Sequence, residues 1–159
     1  MKRVLIPGSF DPITIGHYDI IKRCSEMFDE VYVVVFANTE KKGKGIFDGK
    51  DCYEMVKRAV SQIPNVYTDI TDILVVDYAK QKNIDYIVKG VRDTIDFEYE
   101  YDLYVINENI GGYDTLFIPS RPEYKHISST FVRDMIKYGR DVTPYVPEGV
   151  AQYIESKKK

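Results

Sequence analysis

The chain has 159 residues, enough for one domain with a complete core and too few for two. Its 22 Lys and Arg against 25 Asp and Glu leave a formal charge of -3, which argues against broad attraction to nucleic acid or an anionic membrane. Cys24 and Cys52 form neither a Cys-x-x-Cys nor a Cys/His cluster, so a disulfide scaffold and a structural zinc are both unsupported, and a reducing cytosol fits. Met1-Lys2-Arg3 opens like a signal peptide, but the apolar run after it stops at Pro7-Gly8, and no stretch approaches the roughly 20 apolar residues of a membrane span.

In chain order, residues 2–6 read as a strand. Ile20, Ile21, Cys24, Met27 and Phe28 then recur at helical spacing and mark the buried face of a first helix. Residues 31–37 are an almost unbroken apolar, valine-rich run, as expected of an inner parallel strand covered on both faces. Residues 38–50, with Lys41, Lys42, Lys44 and Lys50 among glycines, read as a mobile basic loop. Tyr53, Val56, Val60 and Ile63 stripe a second helix that ends at Pro64-Asn65.

A strand over 66–70 and a helix over 73–82, with Leu74, Tyr78 and Ala79 inward, precede a strand over 84–89. Residues 93–109 form a helix with aromatic and aliphatic residues on two sides, which suits a subunit contact as well as a core. Gly111-Gly112 ends it, residues 115–118 are the next strand, and residues 119–126 a loop. Ser128 or Ser129 caps a helix to about Tyr138, Pro147-Glu148 opens a last one, and the terminal lysines are a solvated tail. The expected architecture is α/β: a single doubly wound, Rossmann-like domain over residues 1–159, with a five-stranded parallel sheet and helices on both faces.

Three segments fall where such a sheet binds phosphates. Gly8-Ser9-Phe10-Asp11-Pro12-Ile13-Thr14-Ile15-Gly16-His17 joins the first strand to the first helix, whose N-terminal N–H groups and dipole favour an anion. His17 there can donate a hydrogen bond to a phosphate oxygen as charge builds on it. Lys89-Gly90-Val91-Arg92 leaves the fourth strand at the same edge, with a point charge at Lys89 and a planar fork at Arg92; the plainer alternative pairs these cations with Asp93, Asp96 or Glu98. Ile127-Ser128-Ser129-Thr130 opens a later helix with three hydroxyls, and Arg133 lies one turn further on, within reach of a terminal phosphate.

Thr14-Ile15-Gly16-His17 resembles the Thr/His-x-Gly-His signature of the nucleotidyltransferase superfamily. Together with Asp96-Phe97-Glu98-Tyr99-Glu100 and Ile127-Ser128-Ser129-Thr130, in this order and spacing, it makes the chain resemble the bacterial phosphopantetheine adenylyltransferase family from about residue 2 to residue 153. The resemblance implies that ATP and 4'-phosphopantetheine are converted to dephospho-coenzyme A and pyrophosphate, with magnesium, in a cytoplasmic homohexamer open to inhibition by coenzyme A. It places Ser9, Phe10, His17, Gly90, Val91, Arg92, Glu100 and the run Tyr124, Lys125, His126, Ile127, Ser128, Ser129 and Thr130 on ATP. It places Ser9, Lys41, Val75 and Lys89 on the acceptor, and gives the chemistry to His17, Lys41, Arg92 and Ser129, with no protein-held metal.

Two departures stand out. Lys89 occupies a position where the family usually has arginine, which keeps the charge and loses the bidentate fork. The loop after Asn38 carries extra glycines and lacks the family's usual Glu-Glu-Arg at its end, which blurs the register of Lys41 against Lys42. The readings set against the family are another nucleotidyltransferase, acting on nicotinamide mononucleotide or transferring a cytidylyl group, and a nucleotide-binding protein without activity. The basic loop lacks the interleaved aromatics of a nucleic-acid binder.

Overall fold

The computed structural model describes residues 1–37 and 46–158. Five strands, β1 (Arg3–Gly8), β2 (Glu30–Phe36), β3 (Val66–Thr71), β4 (Tyr86–Val91) and β5 (Thr115–Pro119), form one parallel sheet in the order β3-β2-β1-β4-β5. The helices are α1 (Ile15–Met27), α2 (Gly49–Val60), α3 (Val75–Gln81), α4 (Thr94–Gly111), α5 (Ser129–Lys137) and α6 (Val150–Lys157). The chain builds outward from β1 to β3, then crosses back to lay β4 on the other side of β1, with Leu5 opposite Ile87. That reversal separates the loops after β1 and β4 and opens a crevice at their carboxyl ends.

Period-two alternation sends the apolar side chains of each strand to two cores. Val4, Ile6, Val31, Val33, Val35 and Val88 face α1, α2 and α6 through Ile20, Ile21, Cys24, Met55, Val56, Val60, Val150 and Ile154. Leu5 and Val34 face the other way, onto Tyr78, Ala79 and Ile84. Both cysteines are free and buried, and burial, the largest cause in each case, raises both thiols away from the reactive range.

Several expected inward residues lie elsewhere. Met27, the last residue of α1, is 56% exposed, and Phe28 is only partly buried as the extended residue after the helix. Leu74 is 58% exposed: it precedes α3 in extended conformation, so it never joins the helical stripe, and Val76 is buried in its place. Ile63 is buried but lies beyond the end of α2 at Val60.

The start of α2 also differs. In place of Glu-Glu-Arg, Asp48 accepts from the backbone N–H of Asp51 at 2.8 Å while Asp51 accepts from that of Asp48 at 3.2 Å, a reciprocal cap that starts the helix at Gly49, inside the stretch read as loop. Helix α4 has no buried residue among its eighteen. Its C-terminal Gly111 touches α3 so closely that an added Cβ would come within 2.8 Å of Val76 Cβ, and Gly112 at φ 72° ends the helix by donating its N–H to Glu108 O.

Candidate active site

At the carboxyl end of β1 the chain turns through Ser9, which is exposed, and Phe10, which is buried with φ 47°. A bulky residue in that left-handed region is costly, and the turn holds because surrounding groups over-determine it. Phe10 packs edge-on against His17 with ring centroids 5.1 Å apart. A Cβ on Gly8 would come within 3.1 Å of the Phe10 ring, so glycine is what lets the ring lie there.

Thr14 caps α1. Its buried hydroxyl accepts from the His17 N–H at 3.3 Å, while its own backbone N–H donates to His17 Nδ1 at 3.0 Å. Because Nδ1 accepts, the ring proton of the neutral imidazole is assigned to Nε2. Burial, reinforced by the charges of Arg92 and Lys89, pushes the His17 pKa down to about 4. At neutral pH the side chain is therefore an uncharged hydrogen-bond donor on the wall of the crevice.

From β4 come the cations. Gly90 is needed for packing, since a Cβ there would meet Ile20 of α1 at 3.1 Å. Lys89 Nζ sits 3.1 Å from Glu100 Oε2, an ion pair 18% and 17% exposed at its side chains. Glu100 Oε2 is buried and, among the described residues, accepts no aligned hydrogen bond, so this contact is coulombic in character. Arg92 binds Asp96 through two bonds, Nε to Oδ2 at 2.8 Å and Nη2 to Oδ1 at 3.1 Å. The Arg92–Asp96 pair is one of the plainer alternatives drawn from the sequence, whereas Lys89 takes Glu100, two turns into α4, over the three acids nearer in sequence.

Helix α5 closes the far side. Ser128 caps it, accepting from the Phe131 N–H at 3.0 Å, and Ser129 Oγ donates to Pro12 O at 2.8 Å. Arg133 donates from Nη1 to Asp11 O at 2.6 Å and from Nη2 to Thr130 Oγ1 at 3.1 Å. The α5 start and the Gly8–His17 turn are thus stitched together by side chains reaching main-chain carbonyls.

Between these elements lies a cleft of about 1230 Å³. The structure brings Ser9, Phe10, His17, Val75, Lys89, Gly90, Arg92, Glu100, Ile127, Ser128, Ser129 and Thr130 onto its wall. Val91, Tyr124, Lys125 and His126 lie off that wall: Lys125 and His126 are exposed, and Tyr124 packs on the main core. Lys41 is outside the described residues. Reasoning from the sequence missed Leu103 and Asn107, which join Asp96 and Glu100 at helical spacing, so one face of α4 lines the cleft. That 96, 100, 103, 107 repeat was legible, but it is mixed polar and apolar and does not stand out as an amphipathic stripe.

Among the described residues no group of three or more His, Cys, Asp and Glu is placed to hold a metal ion, and no helix is long and apolar enough to cross a membrane.

Residues 5–135 match the cytidylyltransferase-like family. The chain is 40% identical to the phosphopantetheine adenylyltransferase of Phocaeicola vulgatus over 94% of its own length and 98% of the relative's. To the enzymes of the same name from Streptomyces coelicolor and Corynebacterium diphtheriae it is 43% and 42% identical, over 92% and 100% of this chain and 91% and 99% of theirs. Similarity of this extent, running through all three segments that build the cleft, shows that the chain belongs to the phosphopantetheine adenylyltransferase family.

Proposed function

We propose that this chain, acting as one domain over residues 1–159, transfers the adenylyl group of ATP to 4'-phosphopantetheine, giving dephospho-coenzyme A and pyrophosphate. The observation that carries the reading is the neutral His17 donor set at the sheet's reversal point, in the same cleft as Lys89, Arg92 and the hydroxyls of α5. A phosphate oxygen of the acceptor attacks the α-phosphorus, forming the new P–O bond as the bond to the β-phosphate oxygen breaks and pyrophosphate departs in line. No enzyme nucleophile is involved, so positioning and charge neutralisation do the work.

His17 stabilises the charge developing on the transferred phosphate. Arg92, Ser128, Ser129 and Thr130 hold the β- and γ-phosphates, Ser129 through its backbone N–H because its hydroxyl donates to Pro12 O, Glu100 and Gly90 bound the nucleotide, and Ser9, Val75 and Lys89 receive the acceptor, joined on the resemblance by Lys41. Magnesium would enter this cleft with ATP and supply charge neutralisation at its phosphates; Glu100 and Asp96 are paired with cations, and among the described residues no group of three or more acids, His or Cys is placed to hold the ion. Two buried free thiols suit the cytosol.

Incubation with ATP, magnesium and phosphopantetheine, followed by chromatographic separation of the products, is expected to yield dephospho-coenzyme A and pyrophosphate in equal amounts. A dinucleotide formed only from nicotinamide mononucleotide would replace this acceptor with another, and a cytidylyl product from CTP would replace the donor. The exposed apolar residues on the two flanks of α4, Ile95, Ile106 and Ile110 on one and Phe97 and Tyr101 on the other, suit the subunit contact of a homohexamer. Sedimentation is expected to give six chains, and Tyr101→Glu to give smaller species; a monomeric parent chain rejects the assembly. Coenzyme A, which shares the pantetheine arm of the acceptor, is the expected inhibitor.

A further inference from the structure

We propose that Asp96 is a positioning residue for Arg92, fixing which edge of the guanidinium is offered to the phosphates of ATP; this rests on the assignment of Arg92 to ATP made above. A guanidinium has five N–H donors and two edges that can each bind an oxoanion in bidentate fashion. Asp96 takes the side edge, Nε at 2.8 Å and Nη2 at 3.1 Å. The same carboxylate also accepts the backbone N–H of Arg92 at 3.2 Å, so main chain and side chain of one residue are held by a single acid.

Asp96 is itself fixed. Its N–H donates to Asp93 Oδ1 at 2.9 Å, the N-cap of α4, which sets the first turn against the end of β4. What remains of the guanidinium is the Nη1–Nη2 edge, and both side chains line the cleft while only 34% and 27% exposed. The neighbouring Lys89–Glu100 pair lacks this control, being one ammonium against one oxygen. Of the two cations from β4, Arg92 is therefore the oriented one and Lys89 the adaptable one.

The opposite view of the same contact is that Asp96 competes with phosphate for Arg92 and repels it. The two views predict opposite signs. If Asp96 orients Arg92, Asp96→Asn, which keeps shape and loses the charge-assisted fork, lowers kcat/KM for ATP about tenfold or more and weakens inhibition by pyrophosphate to a similar extent. KM for phosphopantetheine stays near the parental value, and Tm falls less than on breaking the more buried Lys89–Glu100 pair, since Asp93 still caps the helix and Arg92 keeps a third of its side chain in solvent.

The deciding measurement is a double-mutant cycle on kcat/KM for ATP with Asp96→Asn, Arg92→Ala and the pair. The expected result is that Asp96→Asn has almost no further effect once Arg92 is alanine. Equal losses in both backgrounds would show an action through folding of α4 and overturn the proposal, as would a tighter KM for ATP in Asp96→Asn. If Arg92→Ala by itself leaves ATP and pyrophosphate untouched, the placement of ATP fails and the proposal fails with it, whereas an Arg92-dependent enzyme indifferent to Asp96 rejects the proposal alone.

Discussion

His17→Ala is expected to lower kcat by two to three orders of magnitude while ATP binding changes by no more than about threefold. Loss of one donor aimed at developing charge in a water-poor site costs roughly 3 to 4 kcal/mol in the transition state, and the same donor does little for the ground state. The geometry specifies how it acts. Nδ1 is occupied by the Thr14 N–H, and the pKa of about 4 keeps the ring neutral, so Nε2–H is the donor left to act and no proton transfer to or from the imidazole is expected near pH 7.

It follows that kcat has no inflection from His17 between pH 6 and 8, and that the ring resonance, followed by NMR, titrates near 4. Stability follows the same group. Its folded pKa lies below the ordinary 6.5, so its contribution is fully present above about pH 6.5 and is lost as pH falls from there toward 4. Turnover of His17→Ala within about threefold of the parent, or a ring titration near 6.5, would reject the donor role.

The second large effect is expected at Lys89. Lys89→Met keeps the length of the side chain and removes its charge, leaving Glu100 as an uncompensated carboxylate in a largely buried setting. Breaking such a pair from one side costs on the order of 3 kcal/mol, so Tm falls by several degrees. Glu100→Gln in the Lys89→Met background restores Tm, because the stranded charge is then gone. Acceptor binding is not restored: loss of a charge-assisted contact to the pantetheine phosphate raises its KM by roughly 10- to 100-fold in both variants.

Lys89→Arg keeps the pairing charge and adds a fork, so its KM for phosphopantetheine is expected to fall severalfold at unchanged kcat. If Lys89→Met leaves that KM within about twofold, Lys89 has no part in receiving the acceptor and only the stability argument survives.

Much of this architecture is legible in the sequence. The place of the reversal, beside β1, comes from the strand order, whereas valine-rich runs alternating with helical stripes point to the parallel sheet and a glycine-bearing strand-to-helix junction ending in histidine points to its carboxyl edge. Those signals are local, set by side-chain period and by the backbone demands of a turn. The misses have local causes too. Leu74 matched the helical period but stood one residue before its helix, and Asp48-x-x-Asp51 went unread as a cap because Asp is a less familiar third member than Glu. Helix α4 was recognised as two-faced, yet its role as a cleft wall was not, since Asp96, Glu100, Leu103 and Asn107 share no polarity.

The sequence by itself determined the parallel α/β class, the glycine-bearing strand-to-helix junction and the residue types available to it, because each follows from spacing within a few turns of chain. Even the His17 tautomer is nearly local, being set by Thr14 three residues away. Only the tertiary structure decided the pairings: that Lys89 meets Glu100, that Arg92 gives one edge to Asp96, and that Ser129 and Arg133 fasten α5 to the carbonyls of Pro12 and Asp11. Partners in those contacts are chosen by how α4 and α5 lie against the strand ends, a distance in space that no periodicity along the chain encodes.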